Sequence, residues 1–158
     1  MALVRILVDG YSLLHNWPEL APGRPRHSAA AREALIHRLT LYHDAVGAPI
    51  TIFFDGANTD RRAAKTKLAS EMEVLYSRAG QTADQMIERA AHRFREFGEV
   101  LVVTDDHAER DTVMAVGGLA SSWLNFIQTV ESALTDVKHE IKNHNLRERN
   151  KFNRRQTK

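Results

Sequence analysis

The sequence predicts an α/β domain: a mostly parallel central sheet with helices on both faces and acidic groups gathered at one edge. Three observations carry this. Short apolar, β-branched runs (residues 3–8, ITIFF, VLVVT) alternate with longer segments of helical spacing, a pattern that builds parallel sheets through right-handed crossovers. The runs are apolar almost throughout, as strands covered on both faces must be. Three of them end in acid, at Asp9, Asp55 and the pair Asp105-Asp106, and such sheets bind ligands at the carboxyl ends of their strands.

Bulk properties set the bounds. A chain of 158 residues suits one domain, and 43% hydrophobic with 27% charged residues is ordinary soluble composition. The absence of cysteine excludes disulfides and thiolate metal sites. The first apolar run is interrupted by Arg5 and ends at Asp9, so it is neither a signal peptide nor a membrane span, and a cytoplasmic protein is expected. The net charge of +2 conceals an asymmetry. From residue 138 onward eight Lys/Arg face two Asp/Glu, a net +6, while the rest holds 14 basic and 18 acidic residues, a net −4. A basic tail on an acidic body suits a polyanionic partner, nucleic acid first, although a solvated solubility tail explains the charge equally well.

In chain order, residues 3–8 form a central strand. Residues 16–27, with three of the four prolines, form an irregular loop. Ser28 caps a helix whose apolar positions are Leu35, Leu39, Tyr42 and Val46, closed by Gly47. ITIFF follows as a second strand. Residues 57–71 are polar and read as a loop or a poorly anchored helix, and EVLYS as a short strand. Thr82 with Gln85 is a capping-box pattern starting a helix at Ala83, which Gly98 stops before VLVVT. A short helix ends at Gly117-Gly118. Ser121 or Ser122 caps a long last helix that buries Trp123, Phe126, Ile127, Val130, Leu134, Val137 and Ile141. Apolar periodicity fails from about Asn143, so a frayed, flexible end is expected there.

Grouped carboxylates repel one another and need a cation, a proton or a basic partner. Mg²⁺ or Mn²⁺ fits best, because hard cations take oxygen ligands. Against this, Asp84 is also a natural helix-dipole residue and Asp55 a natural turn former. Glu88 lies one helical turn beyond Asp84 on the same face and ranks above Glu109 as a supporting acid. Of the histidines, His15 and His27 show no ligand spacing, and His107 alone follows the acid pair.

The segments VDGYSLLHNW, TIFFDG, GQTADQMIERA and VLVVTDDHAER, in this order and spacing, resemble the YacP-like branch of the NYN domains, members of the PIN-like nucleases. The likeness runs to about Leu134 and is most specific at Thr82-Ala83-Asp84 with Ile87-Glu88-Arg89. It implies a three-layer fold over residues 1–142, followed by the basic tail 143–158. It also implies a metal-dependent ribonuclease with Asp9, Asp55, Asp84 and Asp106 as catalytic acids. Asp9, Asp84, Asp106 and Asp105 would be the metal ligands. Asp105 falls where the family usually has a small hydroxyl residue. Ser12 stands where the family usually has Asn, a longer group able to orient the first Asp or a metal-bound water.

The basic residues then acquire a use. Arg61, Arg62, Lys65 and Lys67 follow Asp55, and Arg24 and Arg26 sit in the Pro-rich loop, where they can hold RNA phosphates. Tyr11 and Trp17 can stack on bases, or simply pack. RNA is the expected partner, in a ribosome or mRNA and rRNA processing context, with no membrane. The competing reading is a catalytically weak or inactive RNA- or ribosome-binding module of the same fold. A phosphoacceptor receiver domain is disfavoured, because no Lys occurs between Lys67 and Lys138 and Asp9 has no acidic neighbour.

Overall fold

The computed structural model describes residues 3–56, 65–69, 71–78 and 80–156. Strands β1 (Leu3–Asp9), β2 (Ile50–Phe54), β3 (Lys65–Ala69), β4 (Met72–Tyr76), β5 (Glu99–Val103) and β6 (Leu119–Ser121) form one sheet in the order β3-β4-β2-β1-β5-β6. All neighbours are parallel except β3 and β4. The helices are α1 (Gly10–His15), α2 (Ala29–Val46), α3 (Ala83–Phe94), α4 (His107–Ala115) and α5 (Trp123–Gln156).

The sheet is covered on both faces because side chains alternate along buried strands. Ile6, Val8, Ile52, Phe54 and Val103 pack with Leu13, Leu35, Leu39, Phe126 and Val130 of α1, α2 and α5. Leu7, Phe53, Val100 and Val102 pack the other way, against Ala83, Ile87, Ala91 and Val113 of α3 and α4. The result is the expected three-layer arrangement, with β1 central.

The helix ends follow the sequence reading. The Ser28 hydroxyl accepts the Ala31 N–H at 3.2 Å, Gly47 closes α2 in the left-handed region (φ 72°), and the Thr82–Gln85 capping box is complete. Four expectations are corrected. Part of the stretch 57–71 is not loop or helix but strand β3, paired antiparallel with β4; its composition, KTKLA, carries no apolar run because it lies at the sheet edge. The six-residue α1 and three-residue β6 are too short to show periodicity. Val46 and Ile141 are exposed rather than buried. The last helix does not fray at Asn143 but continues to Gln156. The lost periodicity marks the point where the helix has nothing to pack against, not where it ends.

Candidate metal centre

The acids reach one rim because of how the strands end. Asp9 closes β1 and is the N-cap of α1, its carboxylate accepting the Ser12 N–H at 3.3 Å. A Cβ on Gly10 would overlap the Phe54 ring, so only glycine lets α1 begin this close to β2. After β2, the Ser77 hydroxyl donates to Asp55 Oδ1 at 3.2 Å and accepts the Gly56 N–H at 2.9 Å. A Cβ on Gly56 would strike the Ser77 carbonyl. Both Asp-Gly pairs are therefore close-packing devices at strand ends. Asp106 is the N-cap of α4, accepting the N–H groups of Ala108 at 2.9 Å and Glu109 at 3.4 Å. Asp84 occupies the first turn of α3. The positive ends of three helix dipoles face this collection of carboxylates.

Asp84, Asp106 and Glu109 each place a carboxylate oxygen within 4.8 Å of the other two. Glu109 is only 7% exposed. Its Oε2 accepts the Thr104 hydroxyl at 3.1 Å, and the same hydroxyl oxygen accepts the Asp106 N–H at 3.1 Å. Buried Thr104 thus ties the acid of α4 to the turn that starts it. Glu109 Oε1 is buried and has no hydrogen-bond partner among the described residues. Burial pushes the Glu109 carboxyl up to about 7; the Asp84 charge adds to the rise, the Thr104 hydrogen bond opposes it, and Asp9 and Asp106 contribute less. Asp84 is raised by burial first and by Asp106 second, against a side-chain hydrogen bond that the protonated Glu109 carboxyl can donate to it. Asp9 is raised chiefly by burial, against the Ser12 backbone hydrogen bond and with the charges of Asp84 and Asp55. A buried oxygen without a donor, facing two further carboxylates, matches the donor set of a hard divalent cation.

The expected site residues are distributed unevenly. Asp84 and Asp106 come together, with Glu109 as the third member. Asp9 stands beside this group, close enough for its charge to act on Glu109. Asp105 is turned away: its Oδ1 accepts the Trp123 N–H at 3.1 Å and caps α5. Asp9, Ser12, Asp55 and Asp84 line a cleft of about 360 Å³ together with Tyr11, His15, Arg26, His27 and Trp123. Glu88 is exposed and lines a different groove with Arg89, His92, Arg93 and Glu96. The ranking of Glu88 over Glu109 is corrected accordingly.

Tyr11 is 8% exposed, with its ring centroid 4.4 Å from His27 and 4.9 Å from Phe54. Its faces are packed, which removes it as a platform for bases; buried Trp17 is likewise core. Arg24 is exposed in an adjoining hollow that Arg26 shares. Arg61 and Arg62 lie outside the described residues. Lys65 and Lys67 lie on β3, where Lys65 pairs with Leu75 near the carboxyl end of β4. His107 is an exposed first residue of α4, whereas His15 and His27 reach the cleft. Thr104 is the group that sequence reasoning missed, and Glu109 the one it ranked too low. One signal pointed to Glu109: an acid three residues after an Asp N-cap folds back toward the helix start, as in a capping box.

Comparison with known proteins agrees with this architecture. The YacP-like NYN domain family matches residues 6–158. The uncharacterized protein YacP of Bacillus subtilis (strain 168) is 25% identical over 138 residues, covering 87% of this chain and 81% of that protein. The crystal structure of a mutant form of Rae1 (YacP) from Bacillus subtilis superposes with a TM-score of 0.74 at 25% identity, covering 90% of this chain and 84% of that one. A further crystal structure of Rae1 gives a TM-score of 0.75 over 94% of this chain and 84% of that one; at 22% identity it speaks to the fold alone. With the family matched over almost its whole length, this chain belongs to the YacP-like NYN domains of the PIN-like ribonuclease superfamily.

Proposed function

We propose that this chain is a divalent-metal-dependent endoribonuclease hydrolysing phosphodiester bonds of single-stranded RNA, and that it works in the cytoplasm in a ribosome or mRNA and rRNA processing context. The observation that carries the reading is the buried, unpartnered Glu109 Oε1 within 4.8 Å of Asp84 and Asp106, in a chain of a ribonuclease superfamily. Asp84, Asp106 and Glu109 would hold Mg²⁺ or Mn²⁺. Such an ion supplies Lewis acidity toward a coordinated water and the phosphoryl oxygens. Asp9 and Asp55 face the cleft beside that group and accept hydrogen bonds from the attacking water, orienting it for in-line displacement. Asp105 serves the ion only indirectly, by fixing the start of α5. Arg26 on the cleft, with Arg24 in the adjoining hollow, holds backbone phosphates against the repulsion of the acids; Arg61, Arg62, Lys65 and Lys67 are given the same role on their sequence alone.

The test is cleavage of a labelled single-stranded RNA in Mg²⁺, Mn²⁺ and chelator, with calorimetric titration of the ions into wild type and Asp84→Asn. Cleavage that requires the ion, with both cleavage and binding heat lost in the variant, supports the assignment. Equal cleavage in both proteins would overturn it. One observation favours a second reading, an RNA-binding module with weak or no chemistry: Ser12, beside Asp9, replaces the amide usual in the family. Ion binding and RNA binding without turnover would select that reading.

A further inference from the structure

We propose that the free end of α5 is a separate docking element for double-helical RNA, distinct from the cleft that takes a single strand. This rests on RNA being the partner proposed above, but not on the cleavage chemistry. Every described side chain over residues 138–155 is exposed. At 1.5 Å per residue, this is about 27 Å of helix presenting its whole circumference to solvent. This stretch continues a helix nucleated by its packed half but makes no tertiary packing of its own, so a partner that binds it also stabilises it.

Charge and spacing decide which partner. From residue 138 on, the chain carries a net +6, against −4 for the remainder. At 3.6 residues per turn, Lys138, Lys142 and Arg149 share one side, while Arg147, Lys151 and Arg154 share the opposite side. Cations on opposite sides suit a site with phosphates on both flanks. The grooves of an RNA double helix offer two phosphate rows, whereas a single strand offers one.

The same spacing argues against other occupants. A second copy packing as a coiled coil needs a continuous apolar seam. Here the seam reads Ile141, Asn145, Glu148, Phe152, with polar residues at its two central positions. A membrane surface needs one apolar face, but Leu146 projects from the side opposite Ile141 and Phe152. The body carries a net −4, so its cleft takes a strand against a general repulsion that an added cationic arm offsets.

The experiment uses the full chain in chelator, where cleavage is absent. Fluorescence anisotropy would measure binding to an RNA hairpin of about 20 base pairs and to unstructured polyuridine across a KCl series. The variants are Lys138→Gln/Lys142→Gln/Arg149→Gln and Arg147→Gln/Lys151→Gln/Arg154→Gln; all six residues are exposed, and circular dichroism checks that the helix persists. Each triple should weaken hairpin binding at least about tenfold at moderate salt. Each should also reduce the slope of log affinity against log salt by about 2 to 3, since roughly 0.9 is lost per duplex phosphate contact. Polyuridine binding should change much less. With metal restored, both variants should cleave a short single-stranded RNA at the wild-type rate.

Unchanged hairpin affinity would overturn the proposal, as would equal losses on polyuridine. So would a dependence on one side alone, a dimer in sedimentation velocity that either triple dissolves, or anionic vesicles bound as tightly as the hairpin. Loss of hairpin binding in variants of a protein that cleaves nothing would leave the docking element standing and remove the nuclease reading instead.

Discussion

The acidic rim and the projecting end of α5 hold opposite charge by opposite means. At the rim, Asp9, Asp55, Asp106 and Glu109 are each held by hydrogen bonds from a helix start, a serine or a threonine. On the α5 end, the cations lie on an exposed surface, where Lys151 pairs with Glu148 along the helix at 3.6 Å. Groups that must share one ion need their geometry fixed, because a misplaced carboxylate loses the ligand. Groups that meet a polyanion need only density of charge. Substitutions at the rim should therefore act as switches, and substitutions on α5 as graded changes.

The largest expected effect tests the first half of that contrast. Asp84→Asn removes one of the three gathered carboxylates and should lower ion-dependent RNA cleavage roughly 1,000-fold. The fold should be unchanged or slightly more stable without metal, since a repulsion is relieved. A single-turnover assay together with thermal denaturation in chelator reads both. A loss of activity accompanied by a lowered Tm would instead make Asp84 a structural residue.

Next is the pH dependence of stability, which belongs to the rim alone. The Glu109 carboxyl is raised from 4.5 to about 7 by burial and by Asp84. The unfolded chain gives up this proton first, so between these values the native state binds more protons. Stability from this group is full below about 4.5 and is lost as pH rises through about 7, for a total of about 3 kcal/mol. Asp84 and Asp9, raised as well, act in the same direction. Urea denaturation in chelator should show this decline, Glu109→Gln should flatten most of it, and Mg²⁺ or Mn²⁺ at pH 8 should restore stability to the wild type but not to the variant. A wild-type profile that rises over the same window would contradict the raised carboxyl.

Much of this contrast was legible in the sequence, and the exceptions have physical causes. Parallel strands buried on both faces announce themselves by composition, and strand-end acids and capping residues by local pattern, so Asp9, Asp84, Asp106, Ser28 and Thr82 could be placed without coordinates. Glu109 could not be ranked above Glu88, because a nine-residue helix with an ordinary charged face does not reveal which side it buries. That side is set by the Thr104 hydroxyl, which touches both Asp106 and Glu109. Asp105 and Asp106 are identical neighbours in sequence, yet one caps α4 and the other caps α5 eighteen residues away; only the return of α5 past β5 separates them. The exposed half of α5 lacks an apolar pattern because it has no face to bury, and β3 lacks one as a strand with a neighbour on one side only.

Smaller effects probe the border between the two regions. Ser12 donates its backbone N–H to Asp9 and lines the cleft. Ser12→Asn would supply the amide usual in the family and should raise turnover or ion affinity by up to about tenfold, the scale of groups that orient metal ligands. Ion titration and cleavage kinetics on the same preparation would separate the two gains. A fall in both would show that this cleft is built around the shorter hydroxyl.

The smallest expected change belongs to Arg26, a cation of the α5 kind placed among the acids. Its Nε donates to His27 Nε2 at 3.2 Å; the His27 ring lies 4.4 Å from Tyr11, and the His27 carbonyl accepts from Arg32 at 2.8 Å. A flexible side chain is thus steadied over the cleft without being buried. Arg26→Ala should raise KM for a short single-stranded RNA by about threefold to tenfold with kcat unchanged. It should also reduce the salt slope of binding by about 0.7, the share of one single-strand phosphate. Arg26→Lys should recover the salt slope but only part of KM, because lysine keeps the charge and loses the planar fork that His27 holds. If kcat falls while KM and the salt slope stay fixed, Arg26 acts on the reacting phosphate, and the contrast between positioned acids and graded cations fails at that residue.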